Sequence, residues 1–499
     1  MKSSLYKLLS LSCIIAMFGS SVLARDYNQP KGSYPDRGSE ESYSDDNYSK
    51  ERSDNKETQE VDYYPFTKSQ GRIGDQDVIG IRISKEKIVL LGRDKTYFEE
   101  QMKEQNFSER DFFSKYPKLI SVELSNVSFT REILENIQKY LPKTIKNLVI
   151  NSCVIANEDF EEFTDIIVRH KQLKFLTVMD PNMARAESAK LIAAVGDLEV
   201  LKYLRLTLGE LGDEGCVILQ KVLNKSKETL SDLNLGFMRV NNSKDYDGLL
   251  TFLGELKELK KLEYSVFEST ENQVNIFFNS LANLKKLTDL KLCFDDFNSH
   301  NGVEAYHNSE DFNAALEKLK YLENLDISSM NLPDSSLQTI SRALENLTKL
   351  KTLNVSGNPI NEQTAKVLSA VIKNMDSLIS FVANNCEMND SAFSSLCSGL
   401  QNSSLRYAYF SGNDIVSSVK SLPVSQMKNL VAVNFADNKI KLSDVVGFMK
   451  MIPGGSKLEV VNWTGNDFTG VSENQQIEER NDLKIWKKEH RVNTLDLGI

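Results

Sequence analysis

Apolar residues recur along this chain in a pattern that repeats itself. Leu350-Lys-Thr-Leu353-Asn-Val355-Ser-Gly-Asn358-Pro-Ile360 aligns on Leu322-Glu-Asn-Leu325-Asp-Ile327-Ser-Ser-Met330-Asn-Leu332, giving a template that is apolar at positions 1, 4, 6 and 11 and apolar, Asn or Cys at position 9. The template opens at Leu119, Ile145, Leu173, Leu201, Leu230, Leu259, Leu287, Leu322, Leu350, Leu378, Leu405, Leu430, Leu458 and, truncated, Val492, about 14 units in which a spacing of 28 residues dominates. Within each unit the periodicity switches. Alternation at Leu353-x-Val355 predicts a short strand, and the spacing of Leu337, Ile340 and Leu344, or Leu368, Val371 and Ile372, predicts a helix. Asn157, Asp213, Asp334, Asn361, Asn389 and Ser443 stand where helix caps are needed.

A strand-turn-helix unit cannot bury both of its faces alone, so it must stack on its neighbours. The pattern resembles leucine-rich repeats, and a full helix per unit resembles the ribonuclease-inhibitor-like class of that family, over Leu119 to Ile499. Position 9, which the family fills with Asn or Cys, holds Asn358, Asn413, Asn438, Asn466, Cys153 and Cys386; elsewhere it holds Val127, Pro181, Gly209, Met238, Phe267, Asp295 or Met330, so the amino-terminal units are degenerate. The resemblance implies an α/β solenoid, a horseshoe with a parallel β-sheet on its concave face.

The resemblance places positions 1, 4 and 6 in the core and positions 3, 5, 7 and 8 on the concave surface. Those surface positions bring forward Phe175, Met179, Tyr203, Arg205, Phe237, Phe294, Tyr407 and Tyr409 as candidate protein-binding residues. Large aromatic and Arg side chains carry most of the energy of protein interfaces. The same positions hold the acids Glu123, Asp180, Asp232, Glu263, Asp289, Asp326, Asp437 and Asp496 against Arg205, Lys261 and Lys291. Asn234, Asn354, Asn434 and Asn462 share position 5, where Asn also suits a strand edge.

The ends differ from the repeats. Residues 1–24 join Lys2 and Lys7, an apolar run from Leu8 to Phe18 and a Val22-Leu23-Ala24 cleavage site, which predicts a signal peptide and a secreted or periplasmic protein. Residues 25–65 lack Leu, Ile, Phe and Met and carry six tyrosines, which predicts a disordered acidic linker. Residues 66–118 read as an amino-terminal cap: a hairpin from Val78-Ile79-Gly80-Ile81 and Ile88-Val89-Leu90-Leu91, then short helices around Tyr97 to Gln105 and Ser108 to Tyr116. The stretch Gln475 to Arg491 reads as the last helix before a closing strand at Thr494-Leu495-Asp496-Leu497.

Composition narrows the chemistry. With 60 basic against 70 acidic residues and no long Lys/Arg run, the chain is not a nucleic-acid binder. No later window is apolar enough to predict a membrane span. Four His and six Cys leave little for a metal centre. The insertion near 295–311 brings His300, Glu304 and His307 together at a spacing that fits no zinc class and reads as a polar surface loop. G-x-x-x-x-G-K-[ST], H-E-x-x-H, C-x-x-C and G-x-S-x-G motifs are all missing. His170 reads as a surface residue at a helix end, and Cys293 as a small, half-exposed filler of the inner surface. The expectation is a monomeric, non-enzymatic protein without cofactor that binds a protein partner through its concave face, as a bacterial effector would. The alternative implied by the resemblance is a regulator of an enzyme, either an inhibitor like the ribonuclease inhibitor or a GTPase activator of the Ran type.

Overall fold

The computed structural model describes residues 78–84, 87–92 and 97–101, then 119–466 with interruptions at 181, 241–242, 268, 296–308, 331 and 402–403, then 468 and 494–496. The predicted signal peptide, the linker, most of the 295–311 insertion, the closing helix and the side chain of Phe294 lie outside the described residues.

The repeats fold as an α/β solenoid of leucine-rich-repeat type. Each unit contributes one strand to a sheet of 17 strands, and each strand pairs in parallel with the strand of the next unit. Register keeps template positions aligned, so Leu325, Leu353 and Phe381 are direct neighbours in the position-4 row. Positions 1, 4 and 6 are buried throughout: Leu350, Leu353 and Val355 are all fully enclosed. Helices such as Asp334–Leu344, Glu362–Ile372 and Asp390–Cys397 form a second layer, each packed on the next. Strands lie about 4.8 Å apart and helices about 8–10 Å apart, so the two layers close only if the sheet lies inside the curve.

Among the described residues the helix layer is interrupted in one unit. Between Leu405 and Leu430 only 25 residues are available, and the helix is replaced by a 3-10 turn at Ser418–Ser421. Asp390 holds that turn through the amides of Val416, Ser417 and Ser418 at 2.9 to 3.2 Å and the hydroxyls of Ser417 and Ser418. Partial desolvation opposes ionisation there, but the Ser418 hydroxyl and the three amides outweigh it and pull the carboxyl down to about 2. Asn361 and Asn389 cap their helices as predicted, accepting from Thr364 and Ala392. Asp213 and Asp334 are instead the first helical residues, one step inside Gly212 and Pro333.

Position 8 divides the units into two kinds. In eight of them it takes a left-handed backbone: Asn126, Ser152, Ser329, Gly357, Asn385, Asp437, Gly412 and Gly465 have φ between 52° and 73°. There the strand ends at position 5 or 7 and the chain turns. Beside the turn six of these eight units place an Asn or Cys at position 9, and its side chain bonds the backbone. Asn413 Nδ2 donates to the carbonyls of Ala383 and Phe410 at 2.9 and 3.0 Å, while its Oδ1 accepts from the amides of Cys386 and Met388. Asn358, Asn438 and Asn466 repeat that arrangement, and the Cys386 and Cys153 thiols lie against carbonyls at the same place. Side-chain and glycine residues alternate down the position-8 row from Ser329 to Gly465: a Cβ on Gly412 would stand 2.0 Å from Asn385 Oδ1, and one on Gly465 2.0 Å from Asp437 Oδ1.

In the units opening at Leu173, Leu201, Leu230, Leu259 and Leu287, position 8 stays extended. Their strands run on, as Phe175–Asp180, Tyr203–Leu211, Asp232–Val240, Lys261–Phe267 and Asp289–Asp295. Strand alternation has period 2, so in a longer strand position 8 shares the core face with positions 4 and 6. Phe237, predicted on the concave surface, is therefore fully buried beside Leu233 and Leu235. Phe294 pairs with Val266 in the same row, two strands beyond Phe237.

Three further readings change. Tyr97–Gln101 is a strand rather than part of a helix, because it pairs antiparallel with Lys87–Gly92 and extends the hairpin begun by Val78–Ser84; Tyr and Phe suit that role. Val78–Ser84 in turn pairs in parallel with Ser121–Ser125, joining the hairpin to the first repeat. His170 is buried at 4% exposure, with Nδ1 2.6 Å from the Ile166 carbonyl and its own amide on Ile167, so it finishes the helix Phe160–Val168 from inside. Cys293 is buried at 3% exposure rather than half-exposed. All five cysteines of the described residues are buried and none is joined to another in a disulfide, and burial raises the Cys153 thiol to about 11 and those of Cys216 and Cys386 to about 12.

Candidate protein-binding face

Positions 3 and 5 of each strand point away from the helices, which the alternation of half-buried, buried, half-buried side chains in Thr352–Asn354, Ser380–Val382 and Tyr407–Tyr409 makes visible. This face is continuous from Ser121 to Asn462. Its chemistry changes along that length.

At the amino end Phe175 and Tyr203 are neighbours in the position-3 row, their ring centroids 6.4 Å apart, and Met179 lies on the same strand as Phe175. All three are half-buried. Asp180 follows at the end of that strand; desolvation raises its carboxyl although it accepts from the Asn182 amide at 3.0 Å. Arg205 is next to Tyr203 in space but only 9% exposed, set between Thr177 and Asn234 in the position-5 row.

The central units carry charge, and most of it is paired. Lys291 bonds Glu263 at 3.0 Å, Glu263 also accepts from Asn234, Lys261 lies 4.0 Å from Asp232, and Asn324 donates to Asp289 at 2.8 Å. Three acids thus face three bases at positions 3 and 5 between Tyr203 and Lys291. The acid excess of the concave positions is not spread evenly. Beneath this sector lies a buried tyrosine pair, Tyr246 and Tyr264, whose hydroxyls bond each other while Tyr264 stacks on Phe277 at 4.4 Å.

At the carboxyl end Tyr407 and Tyr409 stand on one strand at positions 3 and 5, both half-buried, with the Arg406 guanidinium 5.6 Å from the Tyr407 ring. Behind them the core is aromatic: Phe410, Phe435 and Trp463 stack in the position-6 row, 5.7 and 4.9 Å apart, with Phe393 and Phe448 edge-on from the helix layer. Asp326, Asn354, Asn434 and Asn462 at position 5 accept from the amide two residues on, at 2.9 to 3.1 Å, and so terminate their strands. Asn234 does not; it belongs to the longer strands.

Of the residues read from the sequence, the structure thus leaves Phe175, Met179, Tyr203, Tyr407 and Tyr409 half-exposed on this face in two separate clusters, encloses Arg205 and buries Phe237. No group of His, Cys, Asp and Glu suited to hold a metal ion occurs among the described residues. No helix among them is long and apolar enough to cross a membrane.

This architecture is that of an open leucine-rich-repeat scaffold. Among solved structures the chain is similar to an internalin, inlF, of Listeria monocytogenes, with 15% identity over 74% of this chain and 92% of that one and a TM-score of 0.35, so the fold assignment rests on the repeat geometry described above. No family model and no curated protein matches the sequence.

Proposed function

We propose that this is a secreted, non-enzymatic scaffold of the ribonuclease-inhibitor-like repeat class that binds a partner protein through its concave face and acts outside the cell that makes it, as an effector does. The observation that carries the proposal is the placement of large aromatic side chains, Phe175 and Tyr203 at one end and Tyr407 and Tyr409 at the other, half-exposed on a sheet face that the fold leaves uncovered among the described residues. Extended solenoid faces serve as binding surfaces, and aromatic anchors supply interface energy. Secretion rests on the leader sequence of residues 1–24.

The test is affinity capture from host and from self lysate with the wild-type chain, beside a variant carrying Phe175→Ala, Tyr203→Ala, Tyr407→Ala and Tyr409→Ala. A protein retained by the wild type and lost with the variant is the expected result. Equal recovery on both would remove the concave face from the proposal. Accumulation of the processed chain, beginning at Arg25, in the medium or periplasm tests secretion.

A further inference from the structure

The carboxyl-terminal sector of the concave face has a composition of its own. In the five consecutive units opening at Leu350, Leu378, Leu405, Leu430 and Leu458, not one of positions 3, 5 and 7 carries a charged side chain, although 26% of the chain is charged. The fold fixes the polar groups there. Asn354, Asn434 and Asn462 each spend Oδ1 on the amide two residues on, and Asn384 spends its Oδ1 on the Ser411 amide at 2.8 Å. An oxygen that accepts from a backbone N–H settles which way the amide is turned. The four Nδ2 groups are thereby left as donors, and none of them donates to a partner among the described residues. Asn434 is only 3% exposed, aligned in register between Tyr409 and Asn462.

We infer that this sector binds a neutral oligosaccharide. The inference rests on the reading of the concave face as the binding face and extends it to a ligand class. Within the position-3, -5 and -7 rows a charged ligand would lose hydration and find no counter-ion, an unfavourable exchange, and the charges beside those rows, Arg406 next to Tyr407 and Asp437 at position 8, are of opposite sign. A protein partner gains most of its energy from large side chains in enclosed pockets, whereas the aliphatic groups beside the two tyrosines are Val382 and Ala432, with Val460 one strand further. A sugar ring fits the arrangement better. Its C–H face packs on a phenol ring, a large apolar body with a polar tip, and its hydroxyl and ring oxygens accept from amide donors that are already oriented. Tyr407 and Tyr409, two residues apart on one strand, are spaced by about 6.6 Å, so adjacent sugar units can each meet a ring.

The experiment is isothermal titration of the full chain with hexasaccharides of glucose, mannose and N-acetylglucosamine, beside sulfated and sialylated oligosaccharides as charged probes. At least one neutral hexasaccharide should bind, with affinity unchanged between about 0.05 and 0.5 M salt, a range over which exposed charge interactions are largely screened. Tyr407→Ala with Tyr409→Ala should weaken it at least tenfold, Val382→Glu should do the same while leaving the melting temperature unchanged, and Phe175→Ala with Tyr203→Ala should have no effect. No binding of any neutral probe, or preference for the charged ones, overturns the inference. If a protein is nonetheless captured and then lost with the tyrosine variant, the face is a binding face and only the ligand class is wrong; if neither ligand nor protein responds, both readings fall together.

Discussion

The five units from Leu173 to Leu287 and the six from Leu322 to Leu458 share one template yet end their strands differently. In the second group a left-handed residue at position 8, joined in four units by an Asx turn at position 5 and in five by Asn or Cys at position 9, stops the strand after three residues. In the first group none of these devices operates, and strands reach seven to nine residues in the units from Leu201 to Leu287. The difference decides which side chains reach the concave face. A bulky residue at position 8 goes into the core of a long strand, whereas in a short strand that position is the corner of a turn. It also decides how the face is wired, through ion pairs in the first group and through side-chain-to-amide bonds in the second.

Phe237→Ala should give the largest effect. A fully buried Phe lost from a packed core costs about 3–5 kcal/mol, so a denaturant melt should shift strongly while the folded fraction keeps its partner. Loss of binding without loss of stability would return Phe237 to the concave surface. Asn413→Ala comes next, at about 2–4 kcal/mol, because it strands two buried carbonyls and two amides; Asn234→Ala in a central unit should cost under about 1 kcal/mol by the same melt. Gly412→Ala should cost about 1–3 kcal/mol, since φ is +69° and the new Cβ meets Asn385, while Asn385→Gly should be close to neutral.

Asp390 gives a pH-dependent member of the series. Its carboxyl falls from 3.8 to about 2 on folding, so its contribution is fully present above the ordinary carboxylate range and is lost as pH drops from about 4 toward 2. Stability curves of Asp390→Asn and wild type should therefore differ by about 1–2 kcal/mol near neutrality and converge in acid; parallel curves would show that the contacts at the Ser418–Ser421 turn do not depend on ionisation. The smallest effect belongs to Lys291→Met, which removes one half-buried ion pair of the central sector. It should cost about 1 kcal/mol or less and respond to salt, where Asn462→Ala should not respond.

Much of this was legible in the residues. Period and alternation were enough to place the fourteen repeat strands, and the core rows followed from the leucines at positions 1 and 4. The split at position 8 went unread although a signal existed. Leu208, Phe237, Val266 and Phe294 are bulky apolar residues that resist a left-handed backbone, and none is followed by Asn or Cys at position 9. His170 was misplaced because its ring closes on a carbonyl one turn back, a contact that polarity alone does not announce. Asp390, the anchor of the helix-free unit, gave no warning. Its partners are backbone amides 26 to 28 residues away, and their positions depend on the unit being short.

The alternation of glycine and side-chain residues down the position-8 row gives the array a longer beat than its repeat. Ser329, Asn385 and Asp437 each lean over a glycine of the unit that follows, Gly357, Gly412 or Gly465. Excising the Leu405 unit alone would set Asn385 against Asp437, a side-chain pair that this stretch of the row never places together. The module that this part of the chain can gain or lose without internal conflict is thus a pair of repeats, so growth by duplication, or shortening by design, proceeds here in steps of two.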